Sequence, residues 1–193
     1  MRVAEPARAA RLIALVPNVL SIGRLGLAAI FPVIPAEHWH WRVVVVAAAG
    51  FSDWLDGFVA RHYGAKSPSG ALLDAVADKL FVFSVLLTLT IMEPRLLEWW
   101  QMLLVIARDL AVAFVAAYVA GKRDWPAWGR LVPRLPGRLT TGFQFALFLA
   151  IVIWPQTLFA TSVLILTVLC SLLAAADYLG MFVRALLEDK AAH

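Results

Sequence analysis

Long apolar runs, separated by short polar or charged segments, dominate this chain. They cover roughly 18–36, 41–62, 70–92, 97–120, 138–158 and 160–185. Each approaches the ~20 residues that a helix rising 1.5 Å per residue needs to cross a hydrocarbon core. The runs are continuously apolar, without the period-two alternation of a membrane barrel strand, and backbone groups in lipid must be paired within their own segment. The pattern predicts an all-α, polytopic membrane protein with six transmembrane helices. Arg2, Arg8 and Arg11, followed by Leu12, Ile13 and Leu15, fit a short N-terminal interfacial helix. A signal peptide fits less well, because Pro17 and Asn18 interrupt that apolar stretch and further spanning runs follow. The expected organisation is an interfacial segment at 1–16, one six-helix domain at 17–187 and a tail at 188–193, with no internal repeat.

Composition sharpens this in one respect. Hydrophobic residues make up 62% of the chain and charged residues 16%, which excludes an ordinary soluble surface. The net charge of +4 does not point to nucleic acid, because the basic residues sit in linkers and helix ends, where they set topology. Arg2, Arg8, Arg11, Lys66, Lys122, Arg123, Arg130, Arg134, Arg184 and Lys190 fall on one side of a six-span arrangement, against little more than Arg42 and Arg95 on the other. Both termini are therefore expected in the cytoplasm. Trp39, Trp41, Trp99, Trp100 and Trp154 would mark the opposite interface, and Trp125 and Trp128 the cytoplasmic one. Cys170 is the single cysteine, so an intrachain disulfide is excluded and a packed thiol is expected.

Against this apolar background, acidic residues inside spans carry information. Asp53 and Asp56 lie three residues apart near the end of the second run, and Asp74 and Asp78 four apart near the start of the third. Both spacings put a pair on one helix face, and the short linker between the runs makes the two helices antiparallel neighbours. A carboxylate within a span costs a few kcal/mol toward the bilayer centre, on the order of 2.5–3.5 by insertion scales. A capping or snorkelling role explains one such residue more readily than four, whose nearby cations are mainly Arg61, Lys66 and Lys79. Clustered oxygen donors suit hard cations such as Mg²⁺ or Mn²⁺, and small residues beside them let a ligand approach the backbone. A transport pathway would distribute ionisable groups across the membrane. Here they concentrate near one face, which favours an enzyme.

The run Asp53-x-x-Asp56-Gly57-x-x-Ala60-Arg61, then eight residues, then Gly70-x-x-x-Asp74-x-x-x-Asp78 resembles the signature of the CDP-alcohol phosphotransferases. Every position is filled at the family's spacing. Weaker similarity extends to Pro17-Asn18-x-x-Ser21-x-x-Arg24, Ala107-Arg108-Asp109, Gly137-Arg138-Leu139-Thr140-Thr141 and Asp177-Tyr178-Leu179, resembling the branch of phosphatidylglycerophosphate synthases and CDP-diacylglycerol-dependent cardiolipin synthases. The resemblance implies a six-helix homodimer in the cell (inner) membrane with its site open to the cytoplasm. It also implies two divalent ions on Asp53, Asp56 and Asp74, with Asp78 as general base close to the second ion. Asn18, Ser21, Arg24, Gly57, Ala60, Arg61 and Gly70 would then face the CDP-linked lipid, CDP-diacylglycerol. Arg24 and Arg61 suit phosphate oxygens through a bidentate fork, although both also fit helix-end anchors facing headgroups.

The acceptor alcohol is less defined. Arg108, inside an apolar run, and Arg134 and Arg138, before the fifth, would favour a phosphorylated acceptor if they line the cavity. Glycerol 3-phosphate leads, followed by phosphatidylglycerol in a cardiolipin synthase and then by an inositol phosphate. A salt bridge, such as one to Asp177, is the structural alternative for Arg108, and positive-inside anchoring for the other two. Related synthases often carry Lys where this chain has Arg138, and the two are not equivalent at a phosphate site.

Overall fold

The computed structural model describes residues 18–63, 68–122 and 135–191, and every regular element among them is helical. The chain divides into two compact units, the first ending at Glu93 and the second beginning at Pro94. The expected interfacial segment at 1–16 and the Trp125–Trp128 linker lie outside the described residues.

In the first unit, α1 (Asn18–Val33) tightens into a 3₁₀ turn over its last residues, Phe31–Val33. Pro32 causes this, because its ring removes the N–H that an α-helical bond would use. The chain then reverses into α2 (Trp39–Tyr63). Arg42 locks the reversal from inside. Its Nε and Nη2 donate to the Ile34 carbonyl at 3.0 and 2.8 Å, its guanidinium lies 5.5 Å from the Phe31 ring centroid, and Nη1 pairs with Glu93 at the end of α3. One of the two basic residues expected on the far side of the membrane is thus buried and paired rather than turned to headgroups.

α3 (Pro68–Met92) begins on a proline, whose fixed φ and missing N–H suit a first helical position, and Pro94 bars its continuation. Ser84 Oγ donates to the Ala28 carbonyl of α1 at 2.6 Å. The interior around it is made by Phe31, Val46, Ala49, Phe81, Val85 and Leu89, all fully or almost fully buried. The outer face of α2 carries Phe51, Trp54 and Phe58, stacked in sequence with centroids 5.8 and 5.7 Å apart and exposed, as befits a surface meeting lipid.

The second unit opens with a capping box, in which the Glu98 side chain takes the backbone N–H of Gln101 and Gln101 takes that of Glu98. α4 (Trp99–Val105) and α5 (Ala107–Lys122) follow, bent by 58° at Ile106. α6 (Leu135–Ile153) and α7 (Leu158–Ala191) then form a helical hairpin. Residues 154–157 make the reversal, with Gln156 in the left-handed region at φ 58° and the Thr157 hydroxyl accepting from the Ala160 N–H. α7 packs along both α6 and α5.

The helices fall where the apolar runs predict them, with one difference: the fourth run is two helices instead of one. Segments within α3 and α7 are long and apolar enough to cross a membrane, and the bent α4–α5 pair makes a third candidate. α1 and the apolar part of α6 are shorter. α2 has 25 residues, or about 37 Å of helix, but Arg42, Asp53, Asp56 and Arg61 interrupt its apolar character.

Candidate active site

α1 contributes one charged side chain to the first unit's interior, Arg24, with no exposed surface. Its neighbours arrive from two other helices. Nε donates to Ser52 Oγ at 3.2 Å, Nη2 to Asp56 Oδ2 at 3.1 Å and Nη1 to Asp74 Oδ1 at 3.1 Å. Asp53 Oδ1 is an ion-pair partner 3.5 Å from Nη1. Ser52 Oγ in turn donates to the Ala49 carbonyl at 2.8 Å, which leaves its lone pairs for the guanidinium. The i, i+3 pair on α2 and the first member of the i, i+4 pair on α3 therefore meet at one cation, as their spacing predicts.

Asp78 stands one turn farther along α3. Its Oδ2 lies 3.3 Å from Lys79 Nζ, while its Oδ1 is buried and accepts no hydrogen bond among the described residues. Side-chain exposure rises from 1% at Asp56 through 13% at Asp78 and 17% at Asp74 to 38% at Asp53. The cluster has a sealed floor and an accessible rim.

A donor set of carboxylate oxygens that includes the buried Asp78 Oδ1, without a donor among the described residues, fits a hard divalent cation. As they stand, no three acidic, His or Cys side chains among the described residues are gathered closely enough to hold an ion together. Arg24 lies between three of the aspartates instead. It is neither a helix-end anchor, since it is fully buried, nor turned outward as a phosphate fork. Ser21 and Gly70 are buried, and Asn18 is the first described residue of α1. Gly57, Ala60 and Arg61 continue α2 and Arg138 lies in α6, but their side chains, like Lys66 and Arg134, lie outside the described residues.

The second unit buries another arginine. Arg108, in the first turn of α5, places Nε and Nη2 on Asp109 Oδ1 at 3.1 and 2.5 Å and Nη1 on Thr141 Oγ1 at 3.1 Å. Its backbone N–H donates to Ser171 Oγ at 3.1 Å. That hydroxyl donates onward to the Val105 carbonyl at 2.9 Å, and Gln144 Nε2 reaches the same carbonyl at 3.2 Å and Asp109 Oδ2 at 3.0 Å. The backbone groups left over where α4 breaks into α5 are thus satisfied by side chains of α6 and α7, the arrangement that permits a broken helix at membrane depth.

A family model described as CDP-alcohol phosphatidyltransferase matches residues 14–173. The match takes in Arg24, all four aspartates and the Arg108 network. The chain belongs to that family. Among curated members, it is similar to a probable phosphatidylglycerophosphate synthase of Mycobacterium tuberculosis, 30% identical over 183 residues that cover 89% of this chain and 83% of that protein. It also resembles the chloroplastic CDP-diacylglycerol–glycerol-3-phosphate 3-phosphatidyltransferase 1 of Oryza sativa subsp. japonica, at 30% over 155 residues, 72% of this chain and 46% of the relative. A putative cardiolipin synthase of Mycobacterium tuberculosis matches at 34% over 111 residues, 56% of this chain and 52% of the relative. The chain spans about half the length of these last two relatives.

Sequence reasoning missed Ser52, Asp109, Gln144 and Ser171 as members of the two clusters. A signal existed for one pair: Thr141 and Gln144 are three residues apart in an otherwise apolar run, which puts two polar groups on one face of α6.

Proposed function

We propose that the protein is a metal-dependent membrane phosphatidyltransferase that moves the phosphatidyl group of CDP-diacylglycerol onto glycerol 3-phosphate and releases CMP. The observation that carries this is the meeting of Asp53, Asp56 and Asp74 on one buried guanidinium, beside a buried Asp78 oxygen that lacks a donor among the described residues, in a chain of this family.

Asp53, Asp56 and Asp74, with Asp78, would hold two Mg²⁺ or Mn²⁺ ions. When bound, such ions neutralise the diphosphate and stabilise the charge that gathers on departing CMP. Asp78 acts as the base, taking the proton of the acceptor hydroxyl at Oδ1. The freed oxygen attacks the phosphorus that carries diacylglycerol, the bond from that phosphorus to the CMP oxygen breaks, and CMP leaves with the electron pair. Placement of a base at the hydroxyl contributes about 10²–10⁴-fold. Asn18, Ser21, Arg61 and the small residues Gly57, Ala60 and Gly70 accommodate the CDP-linked lipid.

Arg108, Arg134 and Arg138 bind the acceptor's phosphate. Support for Arg108 is its buried position, where Asp109 and Thr141 orient the guanidinium, a group that stays protonated at any working pH. A second reading, cardiolipin synthesis with phosphatidylglycerol as acceptor, draws on relatives of that name at 34% identity. The full arrangement is six spans in the inner membrane, with both termini and the site cytoplasmic, in a homodimer. The basic linkers support the orientation.

Purified protein incubated with CDP-diacylglycerol, Mn²⁺ and a panel of glycerol 3-phosphate, phosphatidylglycerol and inositol phosphate tests the proposal. CMP should appear with glycerol 3-phosphate and stop on chelation. No metal-dependent CMP release with any acceptor would sink the enzymatic reading.

A further inference from the structure

We infer that Arg24 is an internal counter-ion for the aspartate cluster. In this role it is a positioning residue that holds Asp53, Asp56 and Asp74 together when no metal is bound and weakens the cation affinity of the same three carboxylates. This role presupposes the cation site proposed above.

The geometry points this way for three reasons. First, all three guanidinium nitrogens are directed inward, onto Ser52, Asp56 and Asp74, with Asp53 at 3.5 Å. Arg24 has no exposed surface at all, whereas Asp53 on the same cluster is 38% exposed.

Second, carboxylates drawn from α2 and α3 repel. Two like charges 4 Å apart repel by about 4 kcal/mol at the effective dielectric of a protein site near its surface. Asp56, at 1% exposure, has almost no water to screen it. A permanent positive charge among them removes that penalty, and arginine supplies one because it does not deprotonate in proteins.

Third, the guanidinium occupies the position between carboxylates that a bound cation would need. Asp53, Asp56 and Asp74 each have an oxygen 3.1 to 3.5 Å from an Arg24 nitrogen. Ser52 keeps the guanidinium from drifting. It receives Nε while anchored to the Ala49 carbonyl, so the side chain has one neutral contact that survives when a cation draws the carboxylates away. An ion entering the cluster therefore competes with a fixed positive charge, and the site binds metal more weakly than its number of carboxylates would allow.

The test titrates Mn²⁺ alone into the full chain in detergent, without substrate, following heat of binding and thermal unfolding. Arg24→Gln keeps an amide donor for the carboxylates and loses the charge. It should bind Mn²⁺ at least about tenfold more tightly than wild type, as expected from removing a neighbouring positive charge. Its metal-free melting temperature should fall, with Mn²⁺ recovering more of the loss than the same ion adds to wild type. Arg24→Lys keeps the charge without the fork, and its Mn²⁺ affinity should stay within about threefold of wild type. A purely structural Arg24 would change affinity in the other direction, with Arg24→Gln binding more weakly because its ligands are misplaced. Wild-type binding with unchanged or weaker binding in Arg24→Gln overturns the counter-ion role alone, as does an Arg24→Gln chain that stays unfolded in saturating Mn²⁺. No Mn²⁺ binding by the wild type or either variant overturns the cation site together with Arg24's part in it.

Discussion

Arg24 in the first unit and Arg108 in the second are both buried, and the two are satisfied in opposite ways. Arg24 draws its partners from two other helices, 28 to 50 residues away along the chain, and most of them are carboxylates. Arg108 takes its carboxylate from its neighbour Asp109 and fills the rest of its reach with the Thr141 hydroxyl. The first arrangement concentrates acidic groups around one cation, as the proposed metal site requires. The second holds its guanidinium against Asp109 and Thr141 and fastens the result to a helix break. Burial of an arginine is therefore not a sign of function by itself. Which groups surround it, and which helices bring them, set what a buried arginine can do.

The sharpest way to break this comparison is at Asp78. Asp78→Asn keeps size and removes the base, so CMP release from CDP-diacylglycerol should fall by about 10²–10⁴-fold, while Mn²⁺-dependent binding of CDP persists. Turnover near wild type would return Asp78 to the structural group. Next in size is Arg108→Ala. Removing one partner of a buried ion pair costs about 3–5 kcal/mol, so its melting temperature should drop more than that of any hydroxyl variant below. Its KM for glycerol 3-phosphate should rise while the KM for CDP-diacylglycerol holds, and Mn²⁺ affinity should not move. An unchanged acceptor KM would leave Arg108 with a structural role only.

Ser171→Ala tests the helix break. It withdraws the acceptor for the Arg108 N–H and one of two donors to the Val105 carbonyl, which keeps Gln144, at a cost of about 1–3 kcal/mol for the backbone group deprived of its partner. Thermal unfolding should report that loss, and a stability equal to wild type would show that the break is held otherwise. The smallest effect belongs to Ser52→Ala, about 0.5–1.5 kcal/mol for one intramolecular hydrogen bond. In calorimetric titration its Mn²⁺ affinity should differ little from wild type, because no charge is removed; a shift as large as that of Arg24→Gln would mean that geometry, not charge, controls the cluster.

The parts of the molecule legible in the sequence were those encoded by local spacing. The apolar runs located the helices, and the separations of Asp53 from Asp56 and of Asp74 from Asp78 placed each pair on one face. The family signature added their expected roles. What escaped reading depends on distant partners. The break at Ile106 falls in Leu-Val-Ile-Ala-Arg-Asp, which contains neither proline nor glycine, the usual local causes. Its support comes from Gln144 and Ser171, 39 and 66 residues from Val105. Arg42 read as a loop charge because only Glu93, 51 residues on, and the free Ile34 carbonyl reveal that it points inward. Arg24 was found as a site residue, but its orientation follows from three helices meeting, which no single run contains.

The reversal between α6 and α7 bears on how the second unit assembles. Residues 154–157 make up the whole connection, with Gln156 in the left-handed region, Thr157 capping α7 and Trp154 edge-on to Phe159 at 5.4 Å. A link this short keeps the adjoining ends of the two helices together from the moment both exist. Their facing side chains therefore meet locally, without the search that a long connection would impose.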